Sequence, residues 1–297
     1  SLGEQGFNRV SFGVQDFDPA VQKAINREQP PELIARLTDQ VRAHGVRGVN
    51  FDLLYGLPRQ TVDSLNATIA QSLAMAPDRI SLFGYAHVPW FAKNQRMIPE
   101  DSLPGGVERA RQILAARRAF QAAGYACIGI DHFALASDDL AIAARDGRLH
   151  RNFQGYTTDG AGVMLGFGAT AIGQTPSGFY QNIAETGAYA RAIAEGRLPA
   201  ERGLSVAGQD RLRAAVIEDI MCAGRCDLSA RAAQHGYASD VFDDAREKLK
   251  PLIGEGLAML SGDVLSLSEA GLLLARLAAA CFDEYRVAAP GKHAVAV

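Results

Sequence analysis

The sequence predicts an α/β protein in which a parallel sheet comes first and a smaller, mainly helical domain follows. Three observations carry this reading. Short β-rich runs alternate with amphipathic helical runs through the first hundred residues, the pattern of strands joined by helical crossovers. From about residue 183 the pattern turns helical and ends in two short β-like runs around Ser261-Gly262-Asp263. No signal peptide and no apolar run of the roughly 18 residues a membrane span needs interrupts it.

The elements follow in order. "FNRVSFGV" (7–14) is the first strand, and a helix runs from Asp18 to Arg27 with Asp18 as N-cap and Pro19 in the first turn. "PELIARLTDQVRAHG" (31–45) is an amphipathic helix closed by Gly45, and "VRGVNFDLLYG" (46–56) is the second strand. Thr61 caps a helix over 61–76, "RISLFGYAHVP" (79–89) is the third strand, and a long helix spans 106–124. "YACIGIDHFA" (125–134) reads as a further strand, followed by a short helix near 137–146. A polar loop (149–162) and a glycine-rich apolar run (163–173) come next. Helices are expected at 183–195, 207–224, 227–235 and 240–255, then the two β-like runs, then a helix over 268–285. Helices closed by a hairpin and a helix suggest a winged-helix-like domain. It lacks a basic recognition helix, which favours an internal packing role over DNA binding. The last eleven residues, "VAAPGKHAVAV", read as a frayed tail.

Composition narrows the function. With 30 basic and 33 acidic residues the net charge is −3, which gives no bias toward nucleic acid or an anionic membrane. Four cysteines without a secretory context suggest reduced thiols and a cytoplasmic protein. Cys222 and Cys226 stand four apart on an expected helix, but two thiols are half a metal site, so they read as structural. The first methionine is Met75, inside the patterned region, so the sequence reads as beginning within a longer protein.

In parallel α/β folds ligands bind beyond the carboxyl ends of the strands, in a barrel or an open sheet alike. Gln15-Asp16, Asp52 and Tyr85-Ala86-His87 are those ends. Asp52 stands among Phe51, Leu53, Leu54 and Tyr55, where a carboxylate is costly unless the fold or a ligand pairs it. "HRNFQGYTT" (150–158) gathers Arg151, Asn152, Gln154, Tyr156 and two threonines, a set suited to carboxylates or hydroxyls. "GFGATAIG" (166–173) misses the dinucleotide spacing and reads as a tight strand approached by a neighbour or ligand. Asp131 and His132 are adjacent on an expected strand and so should face opposite sides, which argues against a dyad. His87 is a ligand contact or a satisfied polar group, and Trp90 a packing residue.

Taken together, "NRVSFGVQDFDPAVQKAINREQ", "NFDLLYGLPRQT", "YAHVP", "GIDHFA", "LHRNFQGYTT" and "LGFGATAIG" occur in the order of the oxygen-independent coproporphyrinogen III oxidases. The chain resembles this radical S-adenosylmethionine (SAM) family over nearly its whole length, most strongly over 7–173. The resemblance implies the C-terminal part of a partial (β/α) radical SAM barrel with a strand extension over 1–180. It implies a helical, winged-helix-like C-terminal domain over 181–297. It further implies oxidative decarboxylation of two propionates of coproporphyrinogen III to vinyl groups, giving protoporphyrinogen IX. The agent would be a 5′-deoxyadenosyl radical made from SAM at a 4Fe-4S cluster, with an external electron donor. By the same resemblance Gln15, Arg27, Asp52 and Ala86 contact a second SAM, and Ile172 the cluster-bound SAM. Asp52 would then be paired by a ligand. The substrate's carboxylates need cations, for which Arg151 is the candidate.

One departure matters. The family's C-x-x-x-C-x-x-C triplet is absent from this chain, so the cluster ligands are expected upstream, no metal ligand or catalytic residue is assigned here, and the chain alone is expected to be inactive. A haem chaperone of the same superfamily and a non-catalytic porphyrin-binding protein are the competing readings. A cytoplasmic monomer without nucleic-acid or membrane partners completes the expectation.

Overall fold

The structure, a computed structural model, describes residues 3–286, so the frayed tail expected at 287–297 lies outside the described residues. The chain forms two compact units that divide between Leu149 and His150, about thirty residues before the boundary read from the sequence.

The first unit holds β1 (Arg9–Gln15), α1 (Pro19–Ala24), α2 (Pro31–Ala43), β2 (Gly48–Tyr55), α3 (Val62–Ala74), β3 (Arg79–Gly84), α4 (Gly106–Ala122), β4 (Tyr125–Ile128), β5 (His132–Leu135) and α5 (Asp139–Arg145). The sheet order is β1-β2-β3-β5-β4. β1, β2 and β3 are parallel, as helical crossovers require, while β5 runs antiparallel to both β3 and β4. The capping residues do what the sequence indicates. Asp18 accepts from the backbone N–H groups of Ala20 and Val21, and Thr61 forms a reciprocal capping box with Ser64.

β2 explains the layering. Val49, Phe51, Leu53 and Tyr55 are buried, whereas Asn50, Asp52 and Leu54 alternate with them on a half-buried face. The apolar face packs with Leu65 and Ile69 of α3 and Ile113, Ala116 and Phe120 of α4, all buried. Phe120 and Phe133 lie 4.5 Å apart between ring centroids. Burying a phenylalanine of this kind contributes about 1.5–3 kcal/mol. At the opposite end of the sheet, Asp138 accepts from Arg9 at 3.0 Å and Arg79 at 2.6 Å while capping α5 through Leu140 N–H.

Two expectations fail in this unit. The run 125–134 is a hairpin rather than one strand, because Gly129 turns the chain at φ +57°. The third strand stops at Gly84 rather than at 89. Beyond it, Gln95 takes the backbone groups a neighbouring strand would need, accepting from Val88 N–H and donating to Ala86 O.

The second unit opens with the hairpin β6 (His150–Asn152) and β7 (Gly155–Thr157). A three-stranded sheet follows, ordered β10-β9-β8, from β8 (Ile172–Thr175), β9 (Gly178–Asn182) and β10 (Ala200–Ser205), with α6 (Thr186–Ala194) between the last two. β9 and β10 escaped the sequence reading. All six residues of β10 are exposed, so backbone pairing holds it with no apolar alternation to announce it. Then come α7 (Asp210–Ala223), β11 (Arg225–Asp227), α8 (Leu228–Gln234), α9 (Asp243–Gly254), β12 (Ala258–Ser261), β13 (Val264–Leu267), α10 (Glu269–Leu273) and α11 (Ala275–Ala280). The sheet order β11-β13-β12, with its hairpin wing after the helices, is the winged-helix arrangement. The single helix expected over 268–285 is two short ones that meet at Leu274. Gly224, left-handed at φ +64°, ends α7 and sends Cys226 into β11, so Cys222 and Cys226 do not share a helix face.

Candidate functional site

Asp52 does not stand in apolar packing. Strand alternation turns it away from Phe51 and Leu53, toward the polar face of the sheet. There Asn50 Nδ2 donates to Asp52 Oδ1 at 2.8 Å and to Ser11 Oγ at 3.2 Å, while Ser81 Oγ donates to Asn50 Oδ1 at 3.2 Å. The fold thus supplies Asp52 with one partner, Asn50, beside the ligand expected from the sequence.

Asp52 is in register with Gly13 of β1 and Ser81 of β3, and Ser81 with His132 of β5. These four positions form one row across the polar face. Gly13 is a close-approach glycine. A Cβ there would stand 2.9 Å from Gln15 Nε2 and 3.4 Å from Arg27 Nη2. Arg27 Nη2 also donates to Gly13 O at 2.7 Å. Gln15 adopts φ +65°, where β1 slips its register against β2. The structure thus brings Gln15 and Arg27 together at Gly13, across from Asp52. Ala86 follows β3, its carbonyl held by Gln95 Nε2 at 3.0 Å.

Asp16 beside them is structural. Fully buried, it accepts from Asp18 N–H at 2.6 Å, Thr68 Oγ1 at 2.8 Å and Gln60 Nε2 at 2.6 Å. Burial pushes its carboxyl above the usual aspartate range, and these three donors oppose the shift. They clamp the chain just after Gln15 onto α3 and the loop before it.

The argument against an Asp131–His132 dyad is overturned. Asp131 lies in the hairpin turn, not on a strand, so alternation does not separate it from His132. His132 Nδ1 meets Asp131 Oδ1 at 2.7 Å, and the imidazole lies edge-on to Phe83 at 5.8 Å. An aspartate at Nδ1 fixes the ring's orientation.

In the second unit, Arg151 lies over the Tyr156 ring, 5.6 Å from its centroid. Its Nε is buried with no hydrogen-bond partner. Tyr156 is buried and donates to Met221 O at 2.9 Å. Glu218 of α7 anchors the hairpin, meeting His150 Nδ1 at 3.1 Å and accepting Arg151 N–H at 3.2 Å. Ile172 opens β8 half-buried, and its carbonyl lies 2.7 Å from where a Cβ on Gly166 would stand. Gly173 admits the Tyr180 ring, which a Cβ would meet at 2.1 Å. The glycine-rich run is thus explained by close approach of a neighbour. Burial, then the Glu218 charge, pushes the Cys222 thiol up to about 12, and Cys226 is raised in the same direction.

The polar row and the Gly13 cradle fit SAM. A carboxylate suits ribose hydroxyls, a guanidinium suits an amino-acid carboxylate, and Gly13 leaves room between them. The cluster has no such fit here. Among the described residues no three His, Cys, Asp or Glu side chains converge as a metal site.

Residues 1–71 match the radical SAM superfamily. The oxygen-independent coproporphyrinogen III oxidase of Bradyrhizobium diazoefficiens is 49% identical over 288 residues, covering 97% of this chain and 64% of that protein. The enzyme of the same name from Pseudomonas aeruginosa is 40% identical over 287 residues, 96% of this chain and 62% of that one. The solved coproporphyrinogen III oxidase of Escherichia coli, a radical SAM enzyme, superposes with a TM-score of 0.91 at 38% identity, covering 96% of this chain and 66% of that structure. The chain is similar to these oxygen-independent coproporphyrinogen III oxidases along almost its whole length, and it spans 64% of the length of the first and 66% of the solved structure.

Proposed function

We propose that this chain serves the oxidative decarboxylation of two propionates of coproporphyrinogen III to vinyl groups, in haem biosynthesis. The observation that carries the reading is the Gly13 cradle, where Gln15 and Arg27 converge in register with Asp52. It belongs to a chain 49% identical to a named oxidase. SAM and a 4Fe-4S cluster would supply the radical chemistry, the cluster's ligands not being among this chain's described residues. This chain's residues bind and orient. Asp52 accepts from ribose hydroxyls, Arg27 pairs with the aminoacyl carboxylate, Gln15 donates and accepts beside them, and Ala86 leaves space for adenine. Ile172 contacts the SAM that sits at the cluster. Arg151 pairs with a substrate propionate, its guanidinium held over Tyr156.

In this reading the described residues up to 180 serve as the downstream part of the catalytic barrel with its extension, and 181–286 as the C-terminal helical domain. A cytoplasmic monomer drawing on an electron donor fits the reading. No helix among the described residues is long and apolar enough to cross a membrane. On α9 of the winged-helix unit, Arg246, Lys248 and Lys250 are each paired with a carboxylate, which does not favour DNA.

The test is an anaerobic assay of the full-length protein, cluster-reconstituted, with coproporphyrinogen III, SAM and a reductant. Both 5′-deoxyadenosine and protoporphyrinogen IX should form together. SAM cleavage without decarboxylation, or haem binding with neither product, would refute the reading.

A further inference from the structure

Arg109 of α4 is a preorganised cation with no ion-pair partner among the described residues. Its guanidinium lies 5.7 Å over the centroid of Tyr55, the last residue of β2. It is wedged against two backbone positions that only glycine leaves open. A Cβ on Gly56 would stand 3.0 Å from Arg109 Nε, and one on Gly84 would stand 3.1 Å from Arg109 Nη2. Gly56 follows β2 and Gly84 ends β3, so two adjacent strand ends are shaped around one side chain.

Electrostatically this arrangement is incomplete. Arg109 Nε is buried with no hydrogen-bond partner, and among the described residues the guanidinium makes no ion pair. The adjacent carboxylate is committed elsewhere, since Glu108 accepts Val62 N–H at 3.2 Å and lies 3.8 Å from Arg111. Other arginines at the edges of this sheet are paired, as Arg9 and Arg79 are with Asp138. A guanidinium held in one place at the carboxyl ends of parallel strands is matched to a planar anion, which it grips through two N–H groups.

We propose that Arg109 is a carboxylate anchor of the ligand site at the ends of β2 and β3. The inference rests on the functional reading above. Both ligands of that reading, coproporphyrinogen III with its four propionates and SAM with its aminoacyl group, carry the carboxylate it would hold. Arg151 shows the same design in the second unit, a guanidinium over a tyrosine with a buried, unpartnered Nε.

The test measures binding of coproporphyrin III by fluorescence and of SAM by calorimetry, in the holoenzyme and its Arg109→Gln and Arg109→Met variants. Methionine keeps an apolar stem on the Tyr55 ring, and thermal unfolding confirms that each variant is folded. Loss of about tenfold in coproporphyrin affinity with SAM unchanged assigns the anchor to a propionate, and the reverse assigns it to SAM. Equal affinities for both ligands in a folded variant overturn the inference. A wild-type holoenzyme that binds neither ligand refutes the functional reading, and the anchor with it.

Discussion

Gly13→Ala separates the candidate ligand site from the fold. Gly13 lies in β1 with no left-handed φ, so an alanine there meets no backbone penalty. Its methyl would arrive 2.9 Å from Gln15 Nε2 and 3.4 Å from Arg27 Nη2, both the far ends of flexible side chains. They can move aside, so the stability change should stay below about 1 kcal/mol. The ligand does not have that freedom. Moving either group off its position removes a hydrogen bond to a charged or polar ligand atom, worth about 1.5–3 kcal/mol. SAM should therefore bind roughly ten- to a hundredfold more weakly. Calorimetric SAM titration of the holoenzyme, paired with its thermal midpoint, reads both quantities. An unchanged midpoint with unchanged SAM affinity would show that the cradle at Gly13 does not face the ligand.

Four further outcomes are expected. Asp52→Asn should weaken SAM at least tenfold while leaving the urea midpoint nearly unchanged, because Asn50 can still donate to an amide oxygen at that position. Asp138→Ala strands Arg79 and removes the α5 cap, and should cost about 3–5 kcal/mol in urea unfolding. Gly173→Ala drives a methyl into the Tyr180 ring and should lower the thermal midpoint by several degrees. Cys222 should resist iodoacetamide in the native chain at pH 8 and react on unfolding, as mass spectrometry would read. Its folded pKa of about 12 lies above the unfolded value near 9, so its stabilising contribution is full below pH 9 and is lost as pH rises toward 12.

The Arg109 anchor changes how the strand ends are understood. The site read from the sequence comprised Gln15, Arg27, Asp52 and Ala86 around the ends of β1 to β3, with Ile172 and Arg151 further along the chain. A cation delivered from α4 adds a contribution that no strand motif contains. Sequence spacing offered half a signal for it, Gly56 standing where the second expected strand ends, while Gly84 falls inside the run expected as the third strand. A glycine at a strand end is usually a turn. Only the position of α4 shows that these two make room for a side chain.

The sequence by itself determined the parallel core, the caps at Asp18 and Thr61, the winged-helix order and the family resemblance. Each rests on local chemistry or linear order, which hydrophobic period, capping residues and ordered motifs express directly. Tertiary structure decided what depends on pairing between distant segments. The hairpin turn that sets Asp131 against His132 is one case, and β10, a fully exposed strand paired to β9, is another. Asp52 is the clearest. Its neighbours in sequence are apolar, but a strand sends successive side chains to opposite faces, and its neighbours in space are Asn50, Ser81 and Gly13.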